Sequence, residues 1–175
     1  MPFEKVHIKD ENELEEIVAK EISVIEEGLT VIDRILTDSG KIILCCDKES
    51  HLVILDPRLL RDDKALFDGL RYLDHYNSVI SLLNDDKEKI KLDVRPRLIL
   101  IAPSFSDDLI RVVKYIDTVK IDLYQWEYLK LEDQKGLYLK PVSSMINDER
   151  RLWSKLRARL LEYRNKETIS QSRGD

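Results

Sequence analysis

Cysteine is scarce: the chain has two in 175 residues, and they are neighbours, Cys45 and Cys46. Adjacent residues of a strand point to opposite faces, so this pair suits neither a disulfide nor a metal clip. Both read as small buried residues of a reducing compartment. Long apolar runs are missing too. Nothing approaches the roughly 20 residues that span a bilayer, and the acidic opening MPFEKVHIKDE has neither the basic nor the hydrophobic region of a signal peptide. The expectation is a cytoplasmic protein with no membrane partner. Glycine occurs five times, never as a phosphate-cradling loop. His7, His51 and His75 are scattered without metal-ligand spacing and give no basis for a Ser, His, Asp triad. Positive charge is in the minority, with a net charge of -5 and a pI near 5.4. That balance excludes wrapping of nucleic acid by the whole surface but leaves room for a local basic patch.

What is present describes a folded chain with a charged surface: 43% hydrophobic and 36% charged residues. The length suits one main domain with a terminal appendage. Over residues 10–27, Leu14, Ile17, Val18, Ile22 and Ile25 recur at helical spacing, with Glu13, Glu15, Glu16, Lys20 and Glu26 on the other face. Glu21 falls inside the apolar stripe and needs a partner or an exit to its edge. Gly28 fits a helix stop. Residues 29–36, 41–46 and 52–55 then read as strands separated by the turn-like 37–40 and 47–51, an antiparallel meander whose second and third members are apolar on both faces.

Pro57 cannot donate to a ladder, so the sheet should fail there. Asp62 or Asp63 caps a second helix carrying Leu66, Leu70, Leu73, Tyr76, Ile80 and Leu83. Residues 84–93 are a charged connection. Residues 97–102 form a buried strand, a third helix opens at Ser106 and runs through Leu109, Val112, Val113 and Ile116, and 119–126 return as a strand, a unit that favours a parallel crossover. Residues 128–131 and 136–139 suggest a closing hairpin. From Asp148 onwards the stripe Leu152, Trp153, Leu156, Leu160 and Leu161 lies among Arg150, Arg151, Lys155, Arg157, Arg159 and Arg164. The expected organisation is an α/β domain over 1–142, a central mixed β-sheet flanked by helices; a basic amphipathic helix over 143–167; and a disordered tail over 168–175.

The order helix, three-strand meander, helix, strand, helix, strand resembles the core of the PD-(D/E)XK restriction-endonuclease-like nucleases. The segments ELEEIVAKEISVIEEGLTVI, SGKIILCCDKESHLVILDPR, ALFDGLRYLDHY and RLILIAPSFSDDLIRVVKYI are similar to the NucS-like branch, over residues 14–142. The resemblance implies an acid on the first helix, an Asp in the second strand and Glu-X-Lys at the end of the third. Residues at i and i+2 of a strand share a face, so such a carboxylate and lysine converge on one phosphate with Mg²⁺ held by acidic oxygens. In this chain the Glu-X-Lys position reads Asp56, Pro57, Arg58. The second-strand Asp maps to Ile42, or to Ile43 with a one-residue shift, and Glu15 or Glu16 matches the helix acid.

Arg stays charged and replaces poorly a lysine that must relay a proton. The leading expectation is a nuclease-fold protein without catalysis or cofactor, retained as a nucleic-acid-binding or assembly module. Asp56 and Arg58 are then vestiges of the catalytic motif, and Arg58, Arg150, Arg151, Lys155, Arg157 and Arg159 are candidate DNA contacts. Its rival is a DNA endonuclease with Mg or Mn on Glu15, Glu16 and Asp56, completed by a migrated Asp38 or Asp47. A further alternative is a homo-oligomer built through the C-terminal helix. The plainest reading of Asp56 with Arg58 is a strand-end ion pair, and Tyr72, Tyr76, Tyr124 and Trp126 divide between core packing and a base-stacking groove.

Overall fold

The computed structural model describes residues 3–81, 90–91 and 93–142. The chain divides into Met1–Ser143 and Ser144–Asp175; the second unit, with the expected basic helix and tail, lies outside the described residues. Helix α1 (Glu11–Lys20) opens on Asp10, whose carboxylate accepts from the Glu13 N–H at 2.9 Å, and places Glu11 and Glu13 in the first turn and Lys20 in the last, matching the helix dipole. It is shorter than the apolar period suggests. A 3-10 turn (Ile22–Val24) continues the stripe, so Ile25 and Leu29 are still buried, and Gly28 redirects the chain at φ +84°.

Strands β2 (Thr30–Thr37), β3 (Gly40–Cys46) and β4 (Leu52–Pro57) form the expected antiparallel meander. The Thr37 hydroxyl closes the first turn by donating to the Gly40 carbonyl at 2.6 Å. Next come α2 (Lys64–Asp74), α3 (Tyr76–Ser81), β5 (Arg97–Ala102), α4 (Asp107–Tyr115), β6 (Ile121–Leu131) and β7 (Gln134–Pro141). The Ser106 hydroxyl caps α4 by accepting from the Leu109 N–H at 3.1 Å. With β1 (Glu4–Lys5) the strands make one mixed sheet in the order β1-β6-β5-β4-β3-β2, and β7 pairs with β6. The β4–β5 and β5–β6 pairs are parallel.

Three local expectations change. The second helix breaks at His75, which takes φ -106° and ψ 20°, although Leu73 and Ile80 on either side stay buried in one cluster. Residues 121–131 are one continuous strand, so the two expected strands around Glu127 merge. The ladder fails at Pro57 on one side only. On β3 the last pair is Ile43 with Leu55, whereas on β5 pairing runs to Pro57 with Ile101, and the Arg58 N–H donates to the Ile101 carbonyl at 2.7 Å. By alternation the missing Pro57 N–H faces β3, where no partner is left, so the proline costs the sheet nothing.

Alternation along the buried strands gives two cores. Ile42, Leu44, Leu52, Ile54, Leu98, Leu100 and Leu123 pack beneath α2 and α4; Ile43, Cys45, Val53, Leu55, Ile99 and Ile101 pack with Leu14 and Val18 of α1. Gly69 sets the approach of α2: a Cβ there would sit 2.5 Å from Leu98 Cδ2. Glu21 finds its partner on β7, accepting from the Leu137 N–H at 2.6 Å, an edge-strand donor that β6 does not take. Among the described residues no helix is long and apolar enough to cross a membrane.

Burial pushes the Cys45 thiol up to about 12, with neighbouring Cys46 adding to it. The unfolded chain releases this proton from about pH 9, earlier than the folded one, so folding holds the extra proton and stability falls as pH rises between those values. Wild type is expected to lose up to about 1.4 kcal/mol per pH unit through this thiol in that window. Urea unfolding of Cys45→Ala across pH 8–11 should show a flatter decline; an identical slope in both proteins would contradict the assignment.

Candidate functional site

The end of β4 carries the only motif the sequence singles out for chemistry. Alternation from Ile54 places Asp56 and Arg58 on the α2 face, and both are buried, at 2% and 6% exposure. The guanidinium has five N–H donors, and each has an acceptor. Nε donates to Asp56 Oδ1 at 2.8 Å and Nη2 to Asp56 Oδ2 at 2.9 Å, a bidentate pair. Nη2 also reaches Asp68 Oδ2 at 3.2 Å, while Nη1 donates to the Ser39 carbonyl at 3.0 Å and, at the limit of hydrogen bonding, to Asp62 Oδ2 at 3.5 Å. The Arg58 carbonyl accepts from Trp126 Nε1 at 2.9 Å.

Burial pushes the Asp56 carboxyl up, the doubly bonded Arg58 opposes this, and Asp68 and Asp62 add to the rise. For Arg58 burial works against the charge, but Asp56 and Asp68 outweigh it and hold the guanidinium pKa above its ordinary value. Burial thus works against the charge on both partners, and the bidentate hydrogen bonds between them work for it. Three carboxylates around one guanidinium leave the cluster negative. Arg71, 59% exposed and 3.9 Å from Asp68, offsets little of that.

The remaining sequence candidates do not join it. Ile42 shares the face of Asp56 and is 1% exposed; Ile43 is fully buried on the opposite face. Glu15 is buried on the α1 side of the sheet, with Arg34 Nε 3.1 Å from its Oε1, near enough to pair electrostatically but outside hydrogen-bond geometry. Glu16 and Asp38 are exposed. Asp47 lies beyond the opposite end of β4, where its Oδ1 accepts from the Glu49 and His51 N–H groups at 2.9 Å. A divalent metal needs several oxygens within about 2.6 Å of one point. Among the described residues no group of three His, Cys, Asp or Glu side chains could hold one, so the residues present do not fit the metal that the motif implies. Arg150, Arg151, Lys155, Arg157 and Arg159 lie outside the described residues.

Asp62, Asp68 and the Ser39 carbonyl are the members that sequence reasoning missed. Asp62 had one usable signal, its i+4 spacing from Arg58; Asp68 had none, because only the packing of α2 on β5 brings it there. The aromatic residues serve the fold. The Tyr72 hydroxyl bonds Thr37 Oγ1 at 2.8 Å, Tyr76 packs under α2, and Tyr124 and Trp126 pack on the α1 side.

A mixed sheet with this meander, this parallel crossover and a degenerate acidic motif at the end of its third meander strand defines a restriction-endonuclease-like nuclease fold. The chain belongs to the endonuclease NucS C-terminal domain family, whose sequence model matches residues 10–122. Among solved structures it is similar to a repair endonuclease from Pyrococcus abyssi, with 20% identity, TM-score 0.46 and coverage of 67% of this chain and 48% of that one. It is also similar to EndoMS in a complex with double-stranded DNA, with 21% identity, TM-score 0.48 and coverage of 70% and 47%. For EndoMS in its apo form the values are 23%, 0.45, 66% and 46%. The chain thus spans about half the length of these structures. No curated protein matches it.

Proposed function

We propose that this chain is a non-catalytic member of the nuclease fold that acts as a DNA-binding or assembly module. One observation carries the reading: the position beside Asp56 that should hold a second metal-binding carboxylate is Ile42, 1% exposed and packed among Leu44, Ile54 and Leu100. Metal-assisted hydrolysis depends on convergent acids to neutralise the phosphate and acidify the attacking water. DNA binding is supported by family membership and by the EndoMS complex with double-stranded DNA. Charge directs where it occurs. Residues 1–142 carry 29 acidic against 21 basic side chains, residues 143–175 five against eight, so the contact belongs to Arg150, Arg151, Lys155, Arg157 and Arg159. Arg58 drops out of that set because all its N–H groups are engaged. The free thiols of Cys45 and Cys46 agree with a reducing, cytoplasmic location.

Two measurements test this. In Mg²⁺ or Mn²⁺, duplex, mismatched and branched DNA should remain uncut; metal-dependent cleavage abolished by Asp56→Ala overturns the reading. Binding should weaken with salt at a log–log slope of about -4.5 if five side chains each neutralise a phosphate, and should be lost in a chain ending at Asn147. The apolar stripe of Leu152, Trp153, Leu156, Leu160 and Leu161 favours a second reading, a homo-oligomer. A monomeric sedimenting mass for both chain lengths removes it.

A further inference from the structure

The poor fit to a metal leaves a physical question at the Arg58 cluster. Asp56 and Asp68 are withdrawn from water and Asp62 is partly so, with side-chain exposures of 3%, 13% and 39%. All three carboxylates meet the same guanidinium, which places one cation among three acidic side chains. The geometry also selects the cation. The oxygens do not converge on a point; they are disposed around the edge of a plane, each meeting a different N–H, with the Ser39 carbonyl as a fifth acceptor. A divalent ion would leave most of them out of reach. A lysine ammonium, a point charge with three donors, cannot span them.

We propose that Asp56, Asp62, Asp68 and the Ser39 carbonyl form a guanidinium site, in which Arg58 supplies the charge balance that a divalent metal supplies in an active metal nuclease. This deepens the non-catalytic reading and rests on it. The site joins β4, the turn before β3, the loop after β4 and helix α2 through one side chain. It makes the fold independent of metal, and it accepts a free guanidinium cation when the side chain is removed.

Thermal melting of the full chain tests the proposal, with methylguanidinium, Mg²⁺, Mn²⁺ or EDTA added to wild type, Arg58→Ala and Arg58→Lys. Arg58→Ala should melt about 10 °C below wild type, from the loss of a buried pair in a chain of this size. Millimolar methylguanidinium, far below denaturing concentration, should recover part of that shift, as binding to the folded state alone requires. Wild type should not respond to EDTA or either metal, and Arg58→Lys should remain close to Arg58→Ala. The proposal is overturned by metal stabilisation of wild type, by Mn²⁺ restoring Arg58→Ala as well as methylguanidinium does, or by no response of folded Arg58→Ala to methylguanidinium. Should Arg58→Ala fail to fold, its refolding yield with and without methylguanidinium gives the same reading: a rise supports the site, and no rise overturns it. DNA cleavage counts against the non-catalytic reading and absence of rescue against the guanidinium site, so the two failures remain distinguishable.

Discussion

Arg58→Ala is expected to destabilise the folded chain by about 3–5 kcal/mol, the range for removing one partner of a buried ion pair. The cost comes from what stays behind. Asp56, 2% exposed, loses the donors of two hydrogen bonds and must either hold its charge without water or take up a proton, and the Ser39 carbonyl and Asp68 lose a donor as well. Converting both members of the central pair to apolar groups of similar shape, Asp56→Leu with Arg58→Met, should be less harmful, because the most deeply buried carboxylate leaves together with its partner. Asp68 keeps Arg71 nearby and Asp62 has access to water. The double variant should therefore lie closer to wild type than Arg58→Ala does, which urea unfolding of the full chains measures directly. A double variant as unstable as the sum of its single variants would mean that Asp56 and Arg58 act independently, contrary to the bidentate geometry.

The meander was legible because its determinants are local. Continuous apolar runs at 41–46 and 52–55 and the turn residues between them leave little choice but a buried meander, and Ser106 announces a helix that does begin one residue later. Elements whose existence depends on distant partners were invisible. Strand β1 is two residues, too short for any pattern, and is defined only by Lys130 and Leu129 across from it. The break at His75 leaves the apolar period intact on both sides, so periodicity cannot report it.

The site divides in the same way. Asp56 and Arg58 share a face by strand alternation, a property readable from spacing. The helical period assigns Glu15 to the polar face, away from Leu14 and Val18, whereas the structure buries it with them on the α1 side of the sheet, where it faces Arg34. Asp68 reaches Arg58 because α2 lies close to β5, and it lies close because residue 69 is glycine against Leu98. A tertiary distance decides the chemistry there, and no local signal encodes it.

Ile42→Asp would restore the missing carboxylate in sequence, and it is expected to unfold the domain without reviving a metal site. Removing the buried isoleucine side chain opens a cavity worth about 2–5 kcal/mol, in a cluster with Leu44, Ile54, Leu98 and Leu100. The new carboxylate would be buried without a donor and on the face of Asp56, whose charge is already one of three around a single guanidinium. The total exceeds the roughly 4–5 kcal/mol that marks exceptional single substitutions and approaches the whole stability of an ordinary domain. Ile42→Val, at about 0.5–1.5 kcal/mol, isolates the packing part. Ile43→Asp is the informative control, because it buries the same charge on the α1 face, away from Asp56. If a metal could be accommodated, Mn²⁺ would stabilise Ile42→Asp and leave Ile43→Asp unchanged. Near-ultraviolet circular dichroism and urea unfolding, with and without Mn²⁺, should instead show both aspartates equally unfolded and equally indifferent to the metal. The missing carboxylate is then only part of the obstacle: Arg58 already occupies the Asp56 oxygens that a metal would need.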